Sequence, residues 1–238
     1  MPVYRFGSAQ DRFRSLVWTA LCAGLISGLL LTVIQYLQLV PLIEQAEQYE
    51  VLEPHRTDHA DHTQGAWQPS PGWPRFVATL GANMAVAVGF ALLLAGIFSL
   101  KGQFVWFRGA LWGMAGFGVF FLMPALLVPP TIPGIDAASL AQRQLLWIIA
   151  VVCAALGLLW LLWGRHPWRW LGIVVALTPV FIFRDLTFAY AHPALIDIHR
   201  QFIAASYLSN GIFWIVLGIF CAVFLRKFYP VATSTSAS

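Results

Sequence analysis

The sequence predicts an all-α, polytopic membrane protein with six helical spans and both termini in the cytoplasm. Three observations predict this fold class: a scarcity of charge, a series of long charge-free windows, and an uneven distribution of Lys and Arg. Of the 238 residues, 59% are apolar and only 10% are charged, whereas soluble domains carry about 25% charged residues. So few charges cannot cover a water-facing surface, and lipid is therefore the expected main solvent.

Six windows of the sequence contain no Asp, Glu, Lys or Arg. They are residues 15–43, 76–100, 109–135, 144–164, 170–183 and 201–225. A helix needs about 20 apolar residues to cross the hydrocarbon layer, and five of the windows satisfy this requirement. The corresponding predicted spans are about 15–40, 76–100, 106–128, 144–164, 168–190 and 201–225.

The fifth window, residues 170–183, is the shortest of the six. It reaches spanning length only if Arg184 and Asp185 lie at the outer interface and the helix continues through residues 186–191. If it does not, the segment is re-entrant and the chain has five spans.

The basic residues predict the orientation. With six spans, nine basic residues fall on the cytoplasmic side and five on the outer side. The cytoplasmic set is Arg5, Arg12, Arg14, Lys101, Arg108, Arg165, Arg169, Arg226 and Lys227, and the outer set is Arg56, Arg75, Arg143, Arg184 and Arg200. This excess agrees with the positive-inside rule. Because the basic residues stand singly or in pairs between apolar runs, the net charge of +4 indicates membrane anchoring and not nucleic-acid binding.

The longest predicted extramembrane segment is the outer loop at residues 41–75. Residues 41–50 are good helix formers that follow a proline, so we expect a short helix there. The remainder is polar and rich in proline, and it is predicted to be irregular. We expect a disordered end at residues 232–238.

The outer loop contains a candidate metal site. Three imidazoles and two carboxylates stand within eight residues: His55, Asp58, His59, Asp61 and His62. This set of nitrogen and oxygen ligands suits Co²⁺, Ni²⁺, Zn²⁺ or Cu²⁺, and His192 or His199 is available on the same side to complete a four-histidine shell. The alternative interpretation is a solvated polar loop whose histidines have no function.

Two further groups of residues are candidates for a transport pathway. Glu44, Glu47 and Glu50 cover about one third of the circumference of the predicted helix, where they are placed to attract cations. The alternative interpretation is a solvated helix face at the membrane surface. Gln35, Asn83 and Asn210 are rare polar side chains inside spans, and the last two share a predicted depth of roughly 10–12 Å. Such amides either line a path or join helices to one another.

Small residues recur at every fourth position in three spans. The sets are Ala20, Gly24 and Gly28; Gly81, Ala85 and Gly89; and Gly109 and Gly113. Each set lies on one helix face and is expected to allow close packing of helix backbones.

The sequence lacks the motifs that several kinds of chemistry require. The sequence has no phosphate-binding loop of the Gly-x-x-x-x-Gly-Lys-Ser/Thr type. It has no intramembrane nucleophile–base pair and no carboxylate deep within a span. We therefore expect that the chain is not an enzyme and holds no permanent cofactor.

The chain resembles the CbtA family of putative cobalt transporter subunits over nearly its whole length. The resemblance depends on residues 38–50, 83–93, 109–117, 124–134, 143–147 and 209–214, taken in order and spacing. Thr131 and Val180 depart from the family pattern, which has an acid and often a His at these positions. The resemblance implies a multi-pass inner-membrane subunit for cobalt uptake linked to cobalamin supply, beside a small His-rich single-span partner.

These observations support one leading hypothesis and one alternative. The leading hypothesis is a subunit that captures a divalent metal, cobalt or else nickel or zinc, at the outer face and passes it through the helix bundle. The metal is then the substrate, and membrane lipid is the surrounding partner. The alternative is a membrane scaffold that does not transport, whose glycine faces and amides hold helices or a partner protein together.

Overall fold

The computed structural model describes residues 9–52, 69–70, 72–101, 105–136, 139–183, 189–190 and 192–228. In these residues the fold is all-helical apart from one pair of two-residue strands, as the sequence predicts. The helices are α1 (Ala9–Gln38), α2 (Val40–Leu52), α3 (Trp73–Lys101), α4 (Trp106–Phe117), α5 (Met123–Leu127), α6 (Leu140–Trp163), α7 (Leu171–Ile182) and α8 (Leu195–Phe228). A π-helix, Gly118–Leu122, joins α4 to α5, and a 3₁₀ turn, Trp168–Trp170, precedes α7.

Prolines determine where several helices begin or bend. Pro41 has no N–H group to donate to the preceding turn, so α1 ends at Gln38 and Pro41 occupies the first turn of α2. Pro74 likewise lies in the first turn of α3. Pro124 follows the π-helix, whose extra residue accommodates a proline within a long helix. The helix predicted for residues 41–50 is confirmed.

Within the described residues, five helices are long and apolar enough to cross a membrane. They are Ala9–Gln38, Trp73–Leu100, Trp106–Leu127, Leu140–Trp163 and Leu195–Phe228, and a shorter apolar helix covers Trp168–Ile182. Large apolar side chains such as Leu111 and Val174 remain well exposed on them. Apolar outer faces of this kind suit a lipid environment.

The predicted continuation of the fifth span is wrong where the structure describes it. Helix α7 contains Pro179 and ends at Ile182, and Phe183 has already left the helical conformation, with φ −109° and ψ 21°. Ala189 and Tyr190 then form β2, which pairs antiparallel with β1 (Ile135–Asp136). A proline near the end of the helix and the charged pair Arg184-Asp185 that follows it work against a helix reaching residue 190. Whether this segment crosses the membrane stays a prediction.

The residue contacts divide the chain into two units. The first unit comprises Met1–Val33, Ser70–Met114 and Gly211–Ser238. In it, a Cβ atom built on Gly24 would lie 2.6 Å from the Val88 Cα, and one on Gly28 would lie 2.7 Å from the Met84 Cα. Helix α4 approaches α8 in the same way, because a Cβ on Gly109 would meet the Gly218 carbonyl and one on Gly113 the Trp214 carbonyl. Close packing at these glycines is confirmed.

The small-residue face of α3 differs from the faces of α1 and α4. Gly81 and Gly89 of α3 are exposed, and no atom of the described chain lies within 4 Å of a Cβ built on either. The predicted close packing at Gly81, Ala85 and Gly89 is therefore wrong within this structure. Helix α3 instead approaches α1 at Met84 and Val88. Its buried residues, Ala87, Ala91, Leu94 and Ala95, lie on the side of the helix opposite these glycines.

The second unit comprises Ile34–Pro69 and Ala115–Asn210. Helices α6 and α7 pack through Gly157 and Gly172, where a Cβ on either residue would meet the carbonyl oxygen of the other. A separate apolar cluster joins α2 to the beginning of α8. Its buried members are Leu39, Ala46, Ile132, Leu195, Ile198 and Phe202.

Candidate transport site

The candidate site begins with α2, which carries the predicted acidic residues. Its apolar face, with Ala46 buried, packs on Leu195 and Ile198 of α8 in the second unit. The backbone N–H of Leu39 still donates to the Gln35 carbonyl at 2.8 Å, so α2 follows α1 after a single turn. This packing fixes α2 to the bundle and leaves its polar side facing outward.

The carboxylates of Glu44 and Glu47 on α2 differ in their exposure. Glu44 is exposed, Glu47 is half-buried, and Glu50 lies in the last turns of the helix. Glu44 and Glu47 are one turn apart, so their carboxylates belong to neighbouring positions on the helix surface. Two acids at this spacing form a negative surface that attracts cations.

His192 and His199, the two histidines considered for a metal shell, have structural roles. The backbone N–H of Ala194 donates to His192 Nδ1 at 3.1 Å, and the ring stacks on Tyr49 with centroids 5.0 Å apart. His199 is only 2% exposed, and its Nε2 donates to the Pro130 carbonyl oxygen at 2.8 Å. When either ring is neutral, its hydrogen bond requires the ring proton to lie on Nε2. Neither side chain therefore presents Nε2 as a metal ligand in this conformation.

The predicted metal ligands His55, Asp58, His59, Asp61 and His62 lie outside the described residues. Within the described part of the chain, no group of three or more His, Cys, Asp or Glu side chains is arranged to hold a metal ion. The capture site in the outer loop stays a prediction.

The three amides of the predicted pathway fall into different units. In the first unit, the Asn83 side-chain nitrogen donates to the Thr32 hydroxyl at 3.0 Å, and this hydroxyl donates to the Gly28 carbonyl at 2.9 Å. Asn83 thus connects α3 to α1, as helix-joining amides do. Gln35 belongs to the second unit, where it is half-buried.

Asn210, also of the second unit, forms a bond within its own helix. Its side-chain nitrogen donates to the Ser206 carbonyl at 3.0 Å, and the Ser209 hydroxyl donates to the same oxygen at 3.1 Å. Ser206 and Ser209 are both buried. This serine–asparagine cluster provides polar groups inside the bundle without joining two helices through Asn210.

Sequence reasoning missed a set of buried hydroxyls on α1. Thr19 and Ser27 are completely buried, and neither hydroxyl has a hydrogen-bond partner among the described residues. They lie on the buried side of α1 with Ala20, Gly24 and Gly28. The sequence could have indicated their burial, because both lie on the same side of α1 as the small residues. A helix face that packs closely also buries any hydroxyl on it.

Five long apolar helices and polar side chains held inside the bundle define a multi-pass membrane protein. Residues 13–226 match the family described as "Probable cobalt transporter subunit (CbtA)", and the chain belongs to this family. The resemblance noted in the sequence is confirmed, and the description as a subunit implies partner subunits. Searches of curated proteins and of solved structures each found no match.

Proposed function

We propose that this protein is the membrane subunit of a cobalt uptake system that captures the divalent metal at the outer face. Membership of a family described as a probable cobalt transporter subunit supports the substrate. The observation that carries the proposal is the packing of α2 on α8, which holds in place the acidic helix that precedes the candidate ligands in the sequence. His55, the first of these ligands, follows the last residue of α2 by three positions.

The proposed sequence of events begins in the outer loop. His55, Asp58, His59, Asp61 and His62 bind the metal weakly, because a loop must lose conformational entropy when it chelates. The carboxylates of Glu44, Glu47 and Glu50 raise the local concentration of cations at the bundle.

Gln35, Asn83 and Asn210 then offer amide oxygens in the outer half of the bundle. Weak capture suits transport, since a site that passes an ion onward must also release it. Nickel and zinc are alternative substrates, because the same ligand types bind them. A small His-rich single-span protein is the proposed partner subunit.

The proposal is tested by measuring uptake of radioactive cobalt against external concentration in cells that lack their own copy of the gene. The variant replaces His55, His59 and His62 together with alanine. We expect reduced uptake at limiting cobalt and normal uptake at high cobalt, because capture is lost while the pathway remains. The matched control is His166→Ala, which removes an exposed histidine distant in sequence from the loop.

Two outcomes contradict parts of the proposal. Identical uptake curves for wild type and the triple variant would mean that the histidines do not capture metal. No uptake above that of cells without the gene, even with the partner present, would favour the scaffold alternative.

A further inference from the structure

A cavity lies in the first unit where the beginning of α1 meets the end of α8. It has a volume of about 420 Å³ and is lined by Asp11, Arg14, Ser15, Trp18 and Phe228. The four residues of α1 follow the spacing i, i+3, i+4 and i+7, so they form one face of the helix. The cavity is therefore built on two helix ends that the positive-inside rule assigns to the cytoplasmic surface.

The floor of the cavity is fixed by Ser15. This residue is only 5% exposed, and its hydroxyl oxygen lies 2.9 Å from both the Asp11 and the Phe228 carbonyl oxygens. The contact with Phe228 joins α1 to the last residue of α8. The hydrogen bonds of Ser15 therefore fix the two helix ends relative to each other at the cavity.

The charge around the cavity favours an anion. Arg14 is exposed and has no ion-pair partner among the residues that the structure describes. Arg12, Arg226 and Lys227 are also exposed on the same two helix ends, and Asp11 is the only acid there. A guanidinium group binds phosphate through two parallel hydrogen bonds, and this geometry makes Arg14 the natural anion ligand.

An apolar surface continues from the cavity along α1. Trp18, Leu25 and Leu29 are each about half exposed, and at 100° per residue they lie within about 60° of Arg14 around the helix. The indole of Trp18 lies between the charged end and the apolar surface, the position that tryptophan takes at the headgroup level of a membrane. A ligand that fits this arrangement has a phosphate at one end and a hydrocarbon chain at the other.

We infer that this cavity binds the headgroup of a membrane phospholipid. The phosphate accepts hydrogen bonds from Arg14, and a hydroxyl or ammonium group of the headgroup donates to the Asp11 carboxylate. One acyl chain lies along Trp18, Leu25 and Leu29. The lipid would bridge the beginning of α1 and the end of α8 at the cytoplasmic surface.

The test is a lipid titration of the full-length purified protein, read by native mass spectrometry with phosphatidylglycerol as the probe. Because Arg14 supplies a charged hydrogen-bond pair, we expect Arg14→Ala to weaken lipid binding about tenfold. Arg14→Gln is a second variant that keeps a polar N–H donor but removes the positive charge, and we expect a similar loss. Arg165→Ala, which removes an exposed arginine of the second unit, is the matched control and should bind lipid like the wild type.

A second arm separates a lipid from a soluble anion. Inorganic phosphate and glycerol 3-phosphate carry the same charged group without an acyl chain, and we expect neither to displace the lipid at equal concentration. Equal lipid binding by the Arg14 and Arg165 variants would overturn the inference. Displacement of the lipid by glycerol 3-phosphate would also overturn it, because the cavity would then be a site for a soluble phosphate.

Discussion

The buried imidazole of His199 donates through Nε2 to the carbonyl oxygen of Pro130 at 2.8 Å, across 69 positions of sequence. This bond connects α8 to the proline-rich segment that follows α5. Ile132 of that segment is buried in the same apolar cluster that holds α2. The bond therefore helps to position the acidic helix α2 indirectly, through the cluster on which it packs.

We predict that His199→Ala destabilises the protein by about 1–3 kcal/mol, because the partly buried carbonyl of Pro130 would lose its hydrogen-bond donor. His199→Gln keeps an amide donor and should recover part of the loss. The measurement is thermal unfolding of the detergent-purified protein, with exposed His166→Ala as the control. Equal melting temperatures for the His199 and His166 alanine variants would show that the bond does not stabilise the fold.

Two glycines offer a matched comparison of helix packing. Adding a methyl group at Gly113 places it against the Trp214 carbonyl, whereas the same change at Gly81 meets no described atom. We predict that Gly113→Ala costs about 1–3 kcal/mol through overpacking, which corresponds to a fall of roughly 5 °C in melting temperature. Gly81→Ala should leave the melting temperature unchanged, and a similar fall in both variants would contradict the packing described for α4 and α8.

Cysteine accessibility tests the proposed pathway. After removal of Cys22, Cys153 and Cys221, single cysteines at Gln35, Asn83 and Asn210 should react with a membrane-impermeant thiol reagent added outside. A cysteine at exposed Glu44 is the positive control, and one at buried Ser27 is the negative control. Protection at all three pathway positions would leave these amides with the structural role that Asn83 already has in its bond to Thr32.

Metal binding by the outer loop should depend on pH. Imidazole binds metal only in its neutral form, and free imidazole takes up a proton at about pH 6.5. We therefore expect cobalt affinity, measured by calorimetry on the purified protein, to decrease as the pH is lowered through this range. The variant without His55, His59 and His62 is the control, and an equal pH dependence in both proteins would assign the binding to other groups.

The position of the C-terminus tests the number of spans. Helix α8 is uninterrupted from Leu195 to Phe228, and at 1.5 Å per residue its length of about 50 Å exceeds the hydrocarbon thickness. With six spans, a reporter fused after Lys227 should report the cytoplasm. A periplasmic signal would mean that the segment Trp168–Ile182 does not cross and that the protein has five spans.

The sequence by itself determined the helical fold class, the positions of the long apolar helices and the break before Pro41. These features follow from local rules, because a helix in lipid must satisfy its own backbone and must exclude charge over about 20 residues. The family was also evident from the order and spacing of short stretches. The fold class and the helix positions are readable from neighbouring residues, and the family from the linear order of these stretches.

Only the tertiary structure decided which small and polar residues have partners. Gly24 and Gly113 pack closely while Gly81, in an equivalent pattern, does not, and Asn83 bonds with Thr32 across 51 positions of sequence. His199 was a candidate fourth histidine for the metal shell, yet it is buried and hydrogen-bonded to Pro130. The physical reason is common to all of these cases: a periodic pattern specifies a helix face, but the residue that meets this face comes from a distant part of the chain and is selected by packing.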